Sequence, residues 1–259
     1  MKILMYQVDA FTDKLFGGNP AAVCPLTEWL PDDIMQKIAE ENNLSETAFF
    51  VNDGDAFRIR WFTPKIEIEL AGHPTLATAH VIFNHLDYAR DQIPFVCKSG
   101  ELKATRKDDI IQLDFPAYDA APTDPPEALI AGLGRAPREV LLGRDYIALF
   151  DTEDDILALR PDFARLAELD CLGIIVTAPG KECDFVSRFF APRAGINEDP
   201  VTGSAHTLLI PLWAKRLGKN DLHAWQVSKR RGELFCEYRT DRVLIGGRAV
   251  TFLEATVTI

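Results

Sequence analysis

One pattern occurs twice in this chain, and that repetition restricts the fold more than any other feature. Arg60-Trp61-Phe62-Thr63-Pro64 is answered by Arg188-Phe189-Phe190-Ala191-Pro192, and the offset (188 − 60 = 128) is about half of the 259 residues. Each R-x-F-x-P motif closes a strand-like run. Phe57, Ile59 and Trp61 alternate in the first, and Phe185, Ser187 and Phe189 do so more loosely in the second. Each is then followed by a turn and a helix with almost no polar face. The first, Pro74 to Leu86, carries Leu76, Ala77, Ala79, Val81, Ile82 and Phe83. The second runs from about Ser204 through Leu208, Leu209, Ile210, Leu212 and Trp213. It closes on Lys215-Arg216-Leu217-Gly218, two cations and a C-terminal glycine. Pro211 inside it predicts a kink.

A helix that is apolar all round must be enclosed. Strand-like segments at 2–11, 55–62, 110–115, 172–178, 183–191, 233–238 and 243–258 are numerous enough to do it. The expected fold is therefore α+β: two pseudo-symmetric domains, each a curled mixed β-sheet around a central helix. A proline-rich stretch, Pro116 to Pro126, sustains neither helix nor central strand, so the domains are expected at 1–118 and 119–259, with the terminal strand free to cross to the other domain. A more exposed helix is expected at Pro31 to Glu41, with Asp32 and Asp33 at its positive end and Ile34 and Ile38 on one face.

Composition removes several functional classes. Thirty-nine acidic residues against 28 basic ones leave a net charge of −11, which repels a phosphate backbone unless a basic face is set apart. The longest basic run is only Lys229-Arg230-Arg231, so no nucleic-acid partner is expected. No apolar stretch approaches the roughly 20 residues of a membrane span, and no membrane association is expected. Five scattered cysteines form no C-x-x-C pair, which suits free thiols in a cytoplasmic protein. His80 and His85 are five apart and there is no H-E-x-x-H, so no metal is expected. Gly17-Gly18-Asn19-Pro20 is not a dinucleotide fingerprint and is expected to form a turn lining a cleft mouth.

Each enclosed helix begins in a small-residue turn, Ala71-Gly72-His73-Pro74-Thr75 in one half and Asp199-Pro200-Val201-Thr202-Gly203-Ser204 in the other. Unpaired N–H groups and the dipole at a helix start favour an anion. If the halves pack face to face, a small-molecule carboxylate is the natural guest. Gly72, Gly203 and Ser204 would let backbone approach it closely. Within these turns the titratable groups are His73 and Asp199, which the offset places at near-equivalent depth. Glu46 is a third candidate, because Asn43-Leu44-Ser45-Glu46-Thr47-Ala48-Phe49-Phe50 is a polar turn entering an apolar strand, a setting suited to a general base.

The segments that carry these residues resemble the phenazine-biosynthesis PhzF family. They are Phe11-Thr12-Asp13-(x4)-Gly18-Asn19-Pro20-Ala21-Ala22-Val23, Leu44-Ser45-Glu46-Thr47-Ala48-Phe49, Arg60-(x)-Phe62-Thr63-Pro64-(x7)-Gly72-His73-(x)-Thr75-Leu76-Ala77, and the long run from Ser187 to His206 that includes Glu198-Asp199-Pro200-Val201-Thr202-Gly203-Ser204. The match spans both halves. It implies the diaminopimelate-epimerase-like fold and an isomerase without cofactor. The glutamate matching Glu46 would move a proton between carbons of a cyclic amino-hydroxy acid, assisted by His73 and Asp199. Gly72 and Ser204, with Gly203 and Asn19, would hold the substrate. A homodimer is implied by the resemblance alone. Related epimerases and racemases use two thiols, one at each helix turn, where this chain has Ala71 and Asp199. Two other functions remain open at this point, a binding module that kept the cleft without turnover and an amino-acid epimerase.

Overall fold

A computed structural model describes all residues, 1–259, and they divide into two compact units. One comprises Met1–Phe115 with Ile245–Ile259; the other comprises Pro116–Leu244.

The first unit contains β1 (Lys2–Ala10), β2 (Asn19–Leu26), α1 (Asp32–Asn42), β3 (Glu46–Asp53), β4 (Ala56–Phe62), β5 (Glu67–Ile68), α2 (His73–His85), β6 (Gln92–Cys97), β7 (Gly100–Lys107) and β8 (Ile110–Pro116). The second contains β9 (Ala121–Pro122), α3 (Glu127–Leu133), β10 (Glu139–Leu142), β11 (Tyr146–Leu149), α4 (Glu153–Ala158), α5 (Phe163–Leu166), β12 (Ile174–Pro179), β13 (Phe185–Ala191), β14 (Ile196–Asp199), α6 (Gly203–Leu217), β15 (Asp221–Gln226), β16 (Gly232–Arg239) and β17 (Arg242–Gly247). The final strand, β18 (Ala249–Thr258), returns to the first unit and pairs antiparallel with β1 from Lys2↔Thr258 to Ala10↔Ala249.

Strand pairing shows the duplication directly. In the first unit β2 and β3 are parallel, β3 and β4 antiparallel, β4 and β6 parallel, β6 and β7 antiparallel. In the second, β11 with β12, β12 with β13, β13 with β15 and β15 with β16 follow the same sequence of directions. Parallel neighbours need a long crossover, and here helices supply it. The β4–β6 and β13–β15 crossovers are α2 and α6, and most residues of both helices are buried. The β2–β3 crossover, α1, covers the opposite face of the sheet, packing Met35, Ile38 and Ala39 on Cys24, Phe49 and Phe62.

The R-x-F pattern now has a physical reason. Residues two apart on a strand share a face, and Arg60 lies 5.2 Å over the Phe62 ring while Arg188 lies 5.0 Å over Phe190. Each guanidinium then grips a carboxylate with two nitrogens: Arg60 to Glu67 at 2.8 and 2.9 Å, Arg188 to Glu198 at 2.7 and 3.0 Å. The bond from Arg60 holds the Glu67 carboxyl down at about 2.

One difference from the sequence expectations has a local cause. Pro64 and Pro192 are 128 apart, but α2 and α6 begin at His73 and Gly203, 130 apart. The second connection is two residues longer, so Asp199 ends β14 four residues before α6 whereas His73 is the first residue of α2. Their depths are therefore not equivalent. In α6 the helix continues unbroken across Pro211. The Thr207 carbonyl, deprived of a partner by that proline, accepts the Tyr118 N–H at 3.0 Å. No helix is long and apolar enough to cross a membrane.

Candidate active site

The first cluster is built on the α2-facing side of β3. Alternation puts Glu46, Ala48, Phe50 and Asn52 on one face and Thr47, Phe49 and Val51 on the other. Glu46, the first residue of β3, thereby meets His73, the first residue of α2, with Oε2 and Nε2 3.0 Å apart. Both side chains are largely buried, 12% and 7% exposed.

Behind His73 stands Asn19, fully buried at the start of β2. Its Nδ2 lies 3.2 Å from His73 Nδ1, and its Oδ1 accepts the Ser45 hydroxyl at 3.4 Å. With the amide so placed, its Nδ2 is the donor and Nδ1 of His73 the acceptor. In the neutral imidazole the proton then sits on Nε2, facing the Glu46 carboxylate. The chain Ser45, Asn19, His73, Glu46 thus has a defined direction. Gly72 is the residue before α2, and its carbonyl accepts the Thr75 and Leu76 N–H groups at 3.1 Å each.

Asn19 reaches this place through a turn that only glycine fits. Gly18 has φ +56°, and a Cβ there would lie 2.0 Å from the Ala10 carbonyl oxygen. The same loop is tied by the Phe16 N–H, which donates to Asp9 Oδ2 at 2.8 Å.

In the second unit Asp199, Thr202, Gly203 and Ser204 form a second cluster at the start of α6. The Thr202 hydroxyl donates to Asp199 Oδ2. Gln226, fully buried on β15, holds the turn from behind: its Nε2 donates to the Asp199 carbonyl at 2.8 Å and its Oε1 accepts the Thr202 N–H at 2.8 Å. His206 Nδ1 lies 2.8 Å from the Thr202 carbonyl, and Ser228 Oγ donates to the Pro200 carbonyl at 2.8 Å. Complete burial pushes the His206 imidazole down to about 4, so it is neutral near pH 7. No side chain caps α6, which leaves its first-turn N–H groups suited to an anion. The Ser204 carbonyl is occupied by Thr207 Oγ1 at 2.6 Å and Arg144 Nη2 at 3.3 Å.

Of the residues singled out from sequence, Glu46, His73, Asn19 and Gly72 meet in the first unit, and Asp199, Gly203 and Ser204 in the second. Ser45, Thr202 and Gln226 were not singled out. Ser45 and Thr202 lie inside the quoted segments, but Gln226 has no local signal; it is joined to the turn only by the β13–β15 pairing. The five cysteines are unpaired and belong to neither cluster, and burial pushes Cys24 up to about 12. No three His, Cys, Asp or Glu side chains are grouped as metal ligands. His80 and His85 instead place their Nε2 atoms 3.0 and 2.9 Å from the Thr251 hydroxyl.

Comparison with known proteins extends these observations. The family model described as phenazine biosynthesis-like protein, PhzC-PhzF, matches residues 8–255. An uncharacterised isomerase of Pseudomonas aeruginosa is 53% identical over 258 residues, 99% of each chain. The crystal structure of a PhzF-family protein from Enterococcus faecalis is 47% identical and superposes with a TM-score of 0.98 over all of both chains. A probable proline racemase from Agrobacterium radiobacter is 11% identical with a TM-score of 0.69, covering 99% of this chain and 93% of its own, and so shares the fold alone.

Proposed function

Because the chain belongs to the phenazine biosynthesis-like PhzC/PhzF family, we propose that it is an isomerase that works without cofactor, moving a proton between carbons of a small, cyclic, carboxylate-bearing substrate. Glu46 is the acid/base. The observation that carries this is the directed array Ser45, Asn19, His73, Glu46: a carboxylate at the end of a buried strand, 3.0 Å from an imidazole whose other nitrogen is held by an amide. A carboxylate so placed takes a proton from one carbon and returns it to another. The His73 imidazole, 3.0 Å away, is the polar neighbour of that carboxylate between the two events. Within the second unit, Asp199 is held by Thr202 and Gln226 in a turn whose helix N–H groups suit an anion. Asn19 acts through His73 as a positioning residue, its amide being engaged on both ends.

The test is solvent-deuterium incorporation into cyclic amino-hydroxy acids, followed by NMR. Glu46→Gln lowers incorporation by about 10²–10⁴-fold with ligand-induced stabilisation retained. Exchange at the normal rate in the amide variant overturns the role of Glu46. Stabilisation by carboxylates without turnover in the wild type points to a binding module, and inversion at an α-carbon on chiral chromatography points to an epimerase.

A further inference from the structure

At the far end of α2 from His73, the first unit has a cavity of about 370 Å³ that the proposed reaction does not use. It is within the size range of small-molecule sites. Its floor is apolar. Phe50 and Phe57 pack edge to face with centroids 5.7 Å apart, and Ile82 of α2 is fully buried between the sheet and the opening. Tyr88 forms a wall, its ring 5.7 Å from Phe57 and its hydroxyl fixed by donation to the Gln92 carbonyl at 2.9 Å.

The charge left unpaired at the rim is negative. Arg90, the cation lining the cavity, is occupied by Asp55 at 3.0 Å. Asp87 has no ion-pair or hydrogen-bond partner for its carboxylate, and the Asn52 amide is likewise unoccupied. Leu86, the residue closing α2, also lines the opening, so the negative end of the helix dipole lies here. An aromatic floor under an unneutralised carboxylate and a helix C-terminus complements a cation with an apolar body.

We infer that this cavity is a binding site for a small organic cation of the arylalkylammonium class. The ring lies on Phe50 and Phe57, and the ammonium donates to Asp87, Asn52 and the last carbonyls of α2. The occupant is a small molecule, since the hollow has room for one ring and a short chain. The site is independent of the Glu46 chemistry.

The probe is 2-phenylethylammonium, titrated into the ¹⁵N-labelled protein alongside 2-phenylethanol and 3-phenylpropanoate, which keep the ring and change the charge. The ammonium is expected to shift the amides of residues 50–57 and 82–90 and to bind tighter than either analogue, the preference weakening with added salt. Asp87→Asn, at an exposed position, is expected to weaken it about threefold to fivefold while leaving the alcohol unchanged. Glu46→Gln leaves it unaltered. Equal binding of the three probes, no effect of Asp87→Asn, no binding, or shifts centred on residues 19, 46 and 73 instead overturns the inference. None of these outcomes depends on whether Glu46 moves protons.

Discussion

Asn19→Leu keeps roughly the volume of a fully buried side chain while deleting both ends of its amide. His73 Nδ1 loses a donor 3.2 Å away and Ser45 loses its acceptor. Ser45, only part-buried, can turn to water. His73 is 6% exposed, so its bare nitrogen bears the penalty. A buried polar atom left unsatisfied costs about 1–3 kcal/mol, of which the added apolar surface recovers a part. The expected result is a urea midpoint lowered by that amount at unchanged slope. With the ring no longer held, deuterium incorporation falls by up to about 10²-fold, the effect of misplacing a reacting group by about 1 Å. The position of the proton is the sharper readout. Long-range ¹H–¹⁵N correlation should find the neutral His73 of the wild type protonated on Nε2, because Asn19 Nδ2 donates to Nδ1. A wild-type ring protonated on Nδ1, together with a variant as stable as the parent, refutes the direction assigned to the whole chain from Ser45 to Glu46.

Gly18→Ala drives a Cβ to 2.0 Å from the Ala10 carbonyl at φ +56°, so a loss of more than about 1 kcal/mol is expected; an unchanged thermal midpoint removes the claim that this turn requires glycine. His206 titrates at about 4 when folded and near the usual 6.5 when unfolded, because burial disfavours its charged form. The unfolded chain therefore binds the extra proton first. Stability is complete above about pH 6.5, falls by up to about 1.4 kcal/mol per pH unit down to about pH 4, and levels off below. His80, also pushed down to about 4 by burial and then by His85, adds a second contribution of the same sign in that window. Denaturation between pH 4 and 7 should show a slope shallower by about one proton in His206→Phe. Parallel curves for variant and parent contradict the burial argument.

Much of the architecture was readable because it is written in periodicity. The enclosed helices appear as apolar segments without a polar face, and the structure places them at His73–His85 and Gly203–Leu217, within a residue or so of the expected limits. The exposed helix was found from its proline and acidic start, and it runs from Asp32 to Asn42 with Asn43 left-handed behind it. Short elements escaped. The stretch 119–145, where no strand or helix is expected from the sequence, contains β9, α3 and β10. Two to seven residues give too little period to distinguish from irregular chain, and their stability comes from the cluster around Leu129, Leu133, Val140 and Ile156 rather than from local preference.

Two like halves that each enclose a helix, small-residue stretches carrying His73 and Asp199 near the starts of those helices, and a strand entered at Glu46 are all legible in the linear order of residues. Those are properties of residues close together along the chain. Folding alone brings Glu46 to His73, sets Asn19 behind the imidazole and braces the Asp199 turn with Gln226. Each of these contacts joins residues 24 to 54 positions apart, or strands paired through a helical crossover. No local preference encodes them. They follow from strand register, and register is set by which faces the whole sheet must bury.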